Sequence, residues 1–136
     1  METKRTETVV EKEPKKLSNI ITPEERQEID DRAKAIAKRE GVCKVHVFIA
    51  LEPETNERII AFLKEPSYLQ KIMTYDKIST LGAFSAGDEL REACTLKQDS
   101  DYRTYSENPE FDNYKFGLTT FCISMTEIAK DVFKKK

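Results

Sequence analysis

Phe111, Tyr114, Leu118, Phe121, Met125, Ile128 and Val132 recur at alternating spacings of three and four, up to a Lys134-Lys135-Lys136 tail. That spacing places all of them on one stripe of one long helix. A stripe so continuous needs a covering surface. Two are open: the rest of this chain, which would make it core, or another protein, which would make these seven residues a partner-binding ridge. The repeat covers about three heptads, the length at which helix pairing between copies becomes arguable, so a homo-oligomer is an allowed outcome.

The segments upstream predict an α+β fold, an antiparallel β-hairpin packed on several α-helices. Residues 1–21 mix lysines, an arginine and glutamates without an aromatic anchor, the composition of a disordered arm, and a single domain is expected over 22–136. Thr22-Pro23-Glu24-Glu25 opens a helix through threonine capping and a first-turn proline, and Gly41 ends it. Its apolar positions Ile29, Ala33, Ile36 and Ala37 form a narrow stripe. Val42 to Leu51 alternates as a strand, Glu52 to Glu57 has turn chemistry, and Arg58 to Lys64 returns as a second strand. Tyr68, Leu69, Ile72, Met73 and Tyr75 then follow a helical pattern toward Leu81-Gly82. A second break is expected at Ala86-Gly87, before Asp88-Glu89 start another helical stretch; two helices or one kinked helix both fit. Lys97 to Asn108 reads as a polar surface loop, and Asn108-Pro109-Glu110 opens the last helix. Gly117 inside that helix costs roughly 1 kcal/mol against alanine, so it marks either close approach of another backbone or a weak spot held by packing.

Composition narrows the function classes. A formal net charge of −2 gives no steering toward nucleic acid. Three cysteines at 43, 94 and 122, with no C-x-x-C pair, favour neither a disulfide framework nor a zinc site and fit a reducing cytoplasm. The first residues show no apolar leader, and no window approaches the ~18 apolar residues of a membrane span, so no membrane partner is expected.

No catalytic, cofactor-binding or metal pattern of comparable strength emerges. His46, the single histidine, falls by strand alternation on the face opposite Cys43 and beside Lys44 and Phe48, which removes a local Cys-His metal pair. Asp99, Asp101 and Glu110 match positions 1, 3 and 12 of a calcium loop, but Arg103 and Thr104 occupy positions that want an oxygen ligand and a glycine. Phosphate-binding glycine loops and nucleophile elbows are missing. Tyr102, Arg103, Tyr105 and Tyr114 could stack on bases, yet the acids between Asp99 and Asp112 would repel phosphates.

From Val45 through Ile128 the order of parts resembles small proteins encoded near virion genes of tailed bacteriophages, including families of unknown function and tail-assembly-chaperone-like proteins. The strand pair ends in Phe62-Leu63-Lys64-Glu65-Pro66-Ser67, and a helix with Met73 follows. Ala86-Gly87-Asp88-Glu89 then leads to Cys94, a polar loop and a closing amphipathic helix. Such relatives place tryptophan beside that cysteine, where this chain has Thr95. The resemblance implies a non-enzymatic assembly or structural protein, without cofactor, acting through contacts with other virion or assembly proteins in the host cytoplasm or within the particle. An alternative is a small inhibitor of a host enzyme that uses the acidic loop 99–112 as a charged mimic.

Overall fold

In the computed structural model, residues 20–134 are described, with side chains as far as Thr126. The arm expected over 1–21 lies outside the described residues except for Ile20 and Ile21, and Ile21 is buried. The chain divides into two compact units, residues 1–32 and 33–136.

In the first unit, the Thr22 hydroxyl accepts from the Glu25 amide at 3.0 Å and caps α1 (Pro23–Glu40). Arg26 pairs with Asp30 at 3.2 Å and Gln27 donates to Asp31 at 2.9 Å, both one turn along the exposed side.

In the second unit, α1 ends at Gly41, whose φ of 70° allows Val42 N to reach Ala37 O at 3.0 Å and Gly41 N to reach Lys38 O at 3.3 Å. β1 (Val45–Leu51) and β2 (Arg58–Lys64) pair antiparallel in the register Val45 to Lys64 through Leu51 to Arg58. Their turn is organised by the Glu52 carboxylate, which accepts from the amides of Thr55 at 2.7 Å and Glu54 at 2.8 Å. These bonds hold the Glu52 carboxyl below its usual range.

β2 is buried on both faces, with Ile59, Ala61, Phe62 and Leu63 fully enclosed. One face, Ala61 and Leu63, belongs to a core with Leu90, Cys94, Leu118 and Cys122, against which Phe48, Phe121 and Met125 pack. The helices that supply it are α3 (Ala83–Cys94) and α4 (Asp112–Lys134). Phe84 stacks on Phe116 with centroids 5.1 Å apart, and Gly87 meets Thr119 and Ile123, so the two helices run in the same sense. Ahead of them lies α2 (Tyr68–Leu81), started by a capping box in which Ser67 Oγ accepts from Gln70 N at 3.1 Å and Gln70 Oε1 accepts from Ser67 N at 2.8 Å. Gly82, with φ of 101°, separates α2 from α3.

The fold is α+β as expected, and three local expectations need correction. The chain does not break at Ala86-Gly87; both lie buried inside α3, and the interruption is at Gly82. Gly117 faces the Phe48 ring rather than another backbone, while Gly87 is where two helix backbones approach. The polar segment after Cys94 is more than a surface loop. Thr95 forms a bridge with Leu63, Leu96 N donates to Phe62 O at 2.8 Å, Asp101 N to Ile60 O at 2.8 Å, and Phe62 N to Ser100 Oγ at 2.9 Å. The segment therefore straps the second edge of β2, a geometry that protects an otherwise adhesive strand. The strap continues into a 3-10 turn at Tyr102–Thr104, where Thr104 is fully buried.

Candidate functional site

Alternation along β1 sends His46 and Phe48 to the α4 side of the hairpin, opposite Leu63 and Ala61. Glu65 follows β2 directly, its amide bonded to Lys44 O at 3.1 Å, and buried Pro66 turns the chain toward the Ser67 cap. This turn opens a groove of about 750 Å³. Its walls include Tyr68, Ile72 and Tyr75 of α2 and Phe121 and Met125 of α4.

At the N-terminal end of α2 the groove carries a charged cluster. His46 Nε2 lies 2.5 Å from Glu65 Oε1, and Lys71 Nζ lies 2.5 Å from Glu65 Oε2. Partial burial opposes charge on Glu65, but the hydrogen bonds from Lys71 and His46 outweigh it and keep the carboxyl below its usual range. Lys44 lines the same end, and Asp76 lines the groove further along α2. Neither takes part in an ion pair within the described residues.

The apolar residues of α2 face outward to an unusual extent. Tyr68 is 80% exposed, Leu69 64%, Ile72 40%, Met73 48% and Tyr75 52%, whereas the one buried residue of the helix is Thr74. They follow i, i+1, i+4, i+5 and i+7 spacing, which is one contiguous helix face. A capped helix of about four turns that leaves its large side chains in water has the anatomy of a contact surface.

The residues expected to bind partners are divided by the fold. Leu118 is fully buried in the core cluster, so it has no surface to offer; it is core because it meets Ala61 and Leu63 of β2. Phe121 and Met125 are partly buried and form the α4 wall of the groove. Phe111 packs edge-on to Tyr102 at 5.5 Å and lies 6.5 Å from Tyr114, an aromatic cluster near the strap. The side chains of Ile128 and Val132 lie outside the described residues. The sequence pattern of α2 predicts a helix and names no role for it. The available signal is the breadth of its one apolar face, five large apolar residues among the eight from Tyr68 to Tyr75, wider than a narrow buried stripe.

Among the described residues, reactive groups do not converge. Burial pushes the Cys94 thiol up to about 11 and the Cys122 thiol to about 12, so both remain protonated at neutral pH. Ser124 donates its hydroxyl to Phe121 O at 2.6 Å. Among the described residues, no group of three His, Cys, Asp or Glu side chains could hold a metal. Two acids of the 99–112 loop are held in close contact with cations. Asp99 takes a two-pronged bond from Arg39, at 3.1 and 2.5 Å, and Asp101 accepts from Arg103 Nε at 2.9 Å and Nη2 at 2.8 Å. Arg103 also spans to Glu57 of the hairpin turn at 3.0 Å. The tyrosines of the loop sit beside cations, Tyr105 with Lys97 and Tyr102 with Arg103. Among the described residues no helix is long and apolar enough to cross a membrane.

No family model matches the chain, and no curated protein or solved structure matches it.

Proposed function

We propose that this chain is a non-enzymatic binding protein of the bacteriophage assembly or virion type that its layout resembles, and that it works in the host cytoplasm through protein–protein contacts. The supporting observation is α2, whose Tyr68, Leu69, Ile72, Met73 and Tyr75 stand in water on a well-capped helix. Burying such a face returns roughly 25 cal/mol per Å² of apolar surface, a gain that the folded chain leaves unused. The adjoining groove extends the same surface to Phe121 and Met125, so part of the stripe on α4 belongs to it.

Co-expression with each protein encoded beside this one, followed by co-purification, tests the reading. A complex that forms with the natural chain and is lost with Ile72→Asp supports it, provided the variant keeps its circular dichroism and melting temperature. If no encoded neighbour binds, or if Ile72→Asp binds like the natural chain, the reading fails.

A further inference from the structure

We infer that the occupant of the α2 face is a second copy of this chain, packed antiparallel so that α2 of each copy lies along the groove of the other. The inference rests on the reading of α2 as a contact surface and names the partner. At roughly 200 Å² per large side chain, the exposed parts of Tyr68, Leu69, Ile72, Met73 and Tyr75 amount to about 600 Å². A standard stable interface takes ~800 Å² from each partner, and the partly buried groove walls Phe121 and Met125 supply area next to that face.

Charge placement favours a copy over an unrelated helix. The cations Lys44 and Lys71 stand where α2 begins, while Asp76 stands about 7 Å further along the axis than Lys71. Glu65 already takes Lys71 and His46, but Lys44 and Asp76 have no ion-pair partner among the described residues of their own chain. A two-fold axis at the level of Met73 and Thr74 sets Asp76 of each copy against the Lys44–Lys71 end of the other. Both ends are then satisfied at once, by the same contact made twice. A parallel arrangement would instead bring the two cationic ends together.

The test uses the full chain, with light scattering on a sizing column over a wide concentration range. The expected result is a dimer at high concentration that Ile72→Asp converts to a folded monomer. Asp76→Lys should raise the dissociation constant by about tenfold or more, because the lost contact occurs twice, and adding Lys44→Glu should restore most of it. In a Cys43→Ser background, Ile72→Cys, which lines the groove next to the level of the axis, should form a disulfide-linked dimer under mild oxidation. A chain that stays monomeric at every concentration, or a dimer indifferent to Ile72→Asp and Asp76→Lys, overturns the pairing. The broader reading is judged separately: if the pairing fails but Ile72→Asp still abolishes binding to an encoded neighbour, the α2 contact surface stands with a different occupant. If Ile72→Asp changes neither, both fall.

Discussion

Gly87 of α3 lies so close to Thr119 of α4 that a Cβ on it would stand 3.0 Å from the Thr119 carbonyl oxygen. The same Cβ would lie 2.7 Å from Cγ1 of Ile123. Backbone cannot yield as a side-chain tip can, so this glycine sets the distance between two helices that together enclose one face of β2. The groove and the α2 face depend on that spacing, since Phe121 and Met125 sit on the next turns of α4.

Gly87→Ala should therefore destabilise the fold. Overpacking at about 1–3 kcal/mol outweighs the ~1 kcal/mol that alanine gains in a helix, leaving a net loss on the order of 1 kcal/mol. Gly117→Ala should behave oppositely. Its Cβ would meet Phe48 Cζ at 3.3 Å, and a half-buried ring can shift by the few tenths of an ångström required. Urea denaturation of the two variants should give midpoints displaced in opposite directions, and equal displacements would refute the assignment.

A second contrast separates core from contact surface. Leu118→Ala removes a fully buried side chain between β2 and α3 and should cost about 3 kcal/mol. Leu69→Ala, on the open side of α2 and 64% exposed, should change stability by no more than ~0.5 kcal/mol. Comparable losses from both would mean that α2 is not the open helix described.

Much of this fold could be read from residue patterns, and the misreadings share a physical cause. Thr22-Pro23, Gly41 and the alternation of β1 are local signals, and each appears where expected, except that the strand starts at Val45 rather than Val42. Gly87 and Gly117 exchanged roles because a glycine in a helix announces close approach without saying what approaches; the answer lies on another element. The stretch from Lys97 to Asn108 reads as solvent-exposed loop because the bonds that its first part makes to β2 come from main-chain groups and one serine, which leave little compositional trace. The site was split for a similar reason. Periodicity put Leu118 and Phe121 on one stripe, but β2 covers the first while the second reaches the groove. The outward aim of α2 was likewise hidden, since apolar spacing reports a face and not what lies against it.

The entry into α2 should be sensitive to its cap. Ser67 satisfies the Gln70 amide, and Gln70 returns the bond to the Ser67 amide. Ser67→Ala should cost about 1 kcal/mol, and Ser67→Asp should retain most of the stability. Amide hydrogen exchange should accelerate at the start of α2 in Ser67→Ala while β2 remains protected. Uniform acceleration across the domain would contradict a local capping role.

The strap should give the fold an identifiable acid sensitivity through Asp101. Hydrogen bonds from the Arg103 side chain, the largest influence, hold the Asp101 carboxyl below its usual range, and the Arg103 amide, donating at 3.0 Å, adds to this against partial burial. A carboxyl depressed in the folded state contributes stability above its unfolded value, about pH 3.9, and loses that contribution as pH falls through the folded value. Asp101→Asn keeps the shape and removes the titration. The variant should therefore be less stable than the natural chain at neutral pH, with the gap closing as acid protonates Asp101 in the natural chain. Glu52 and Glu65 are depressed as well, so a shallower acid dependence should persist in the variant. Denaturation midpoints measured from neutral to strongly acidic solution would show converging curves; a constant gap would mean that the Asp101–Arg103 bond contributes through packing rather than charge.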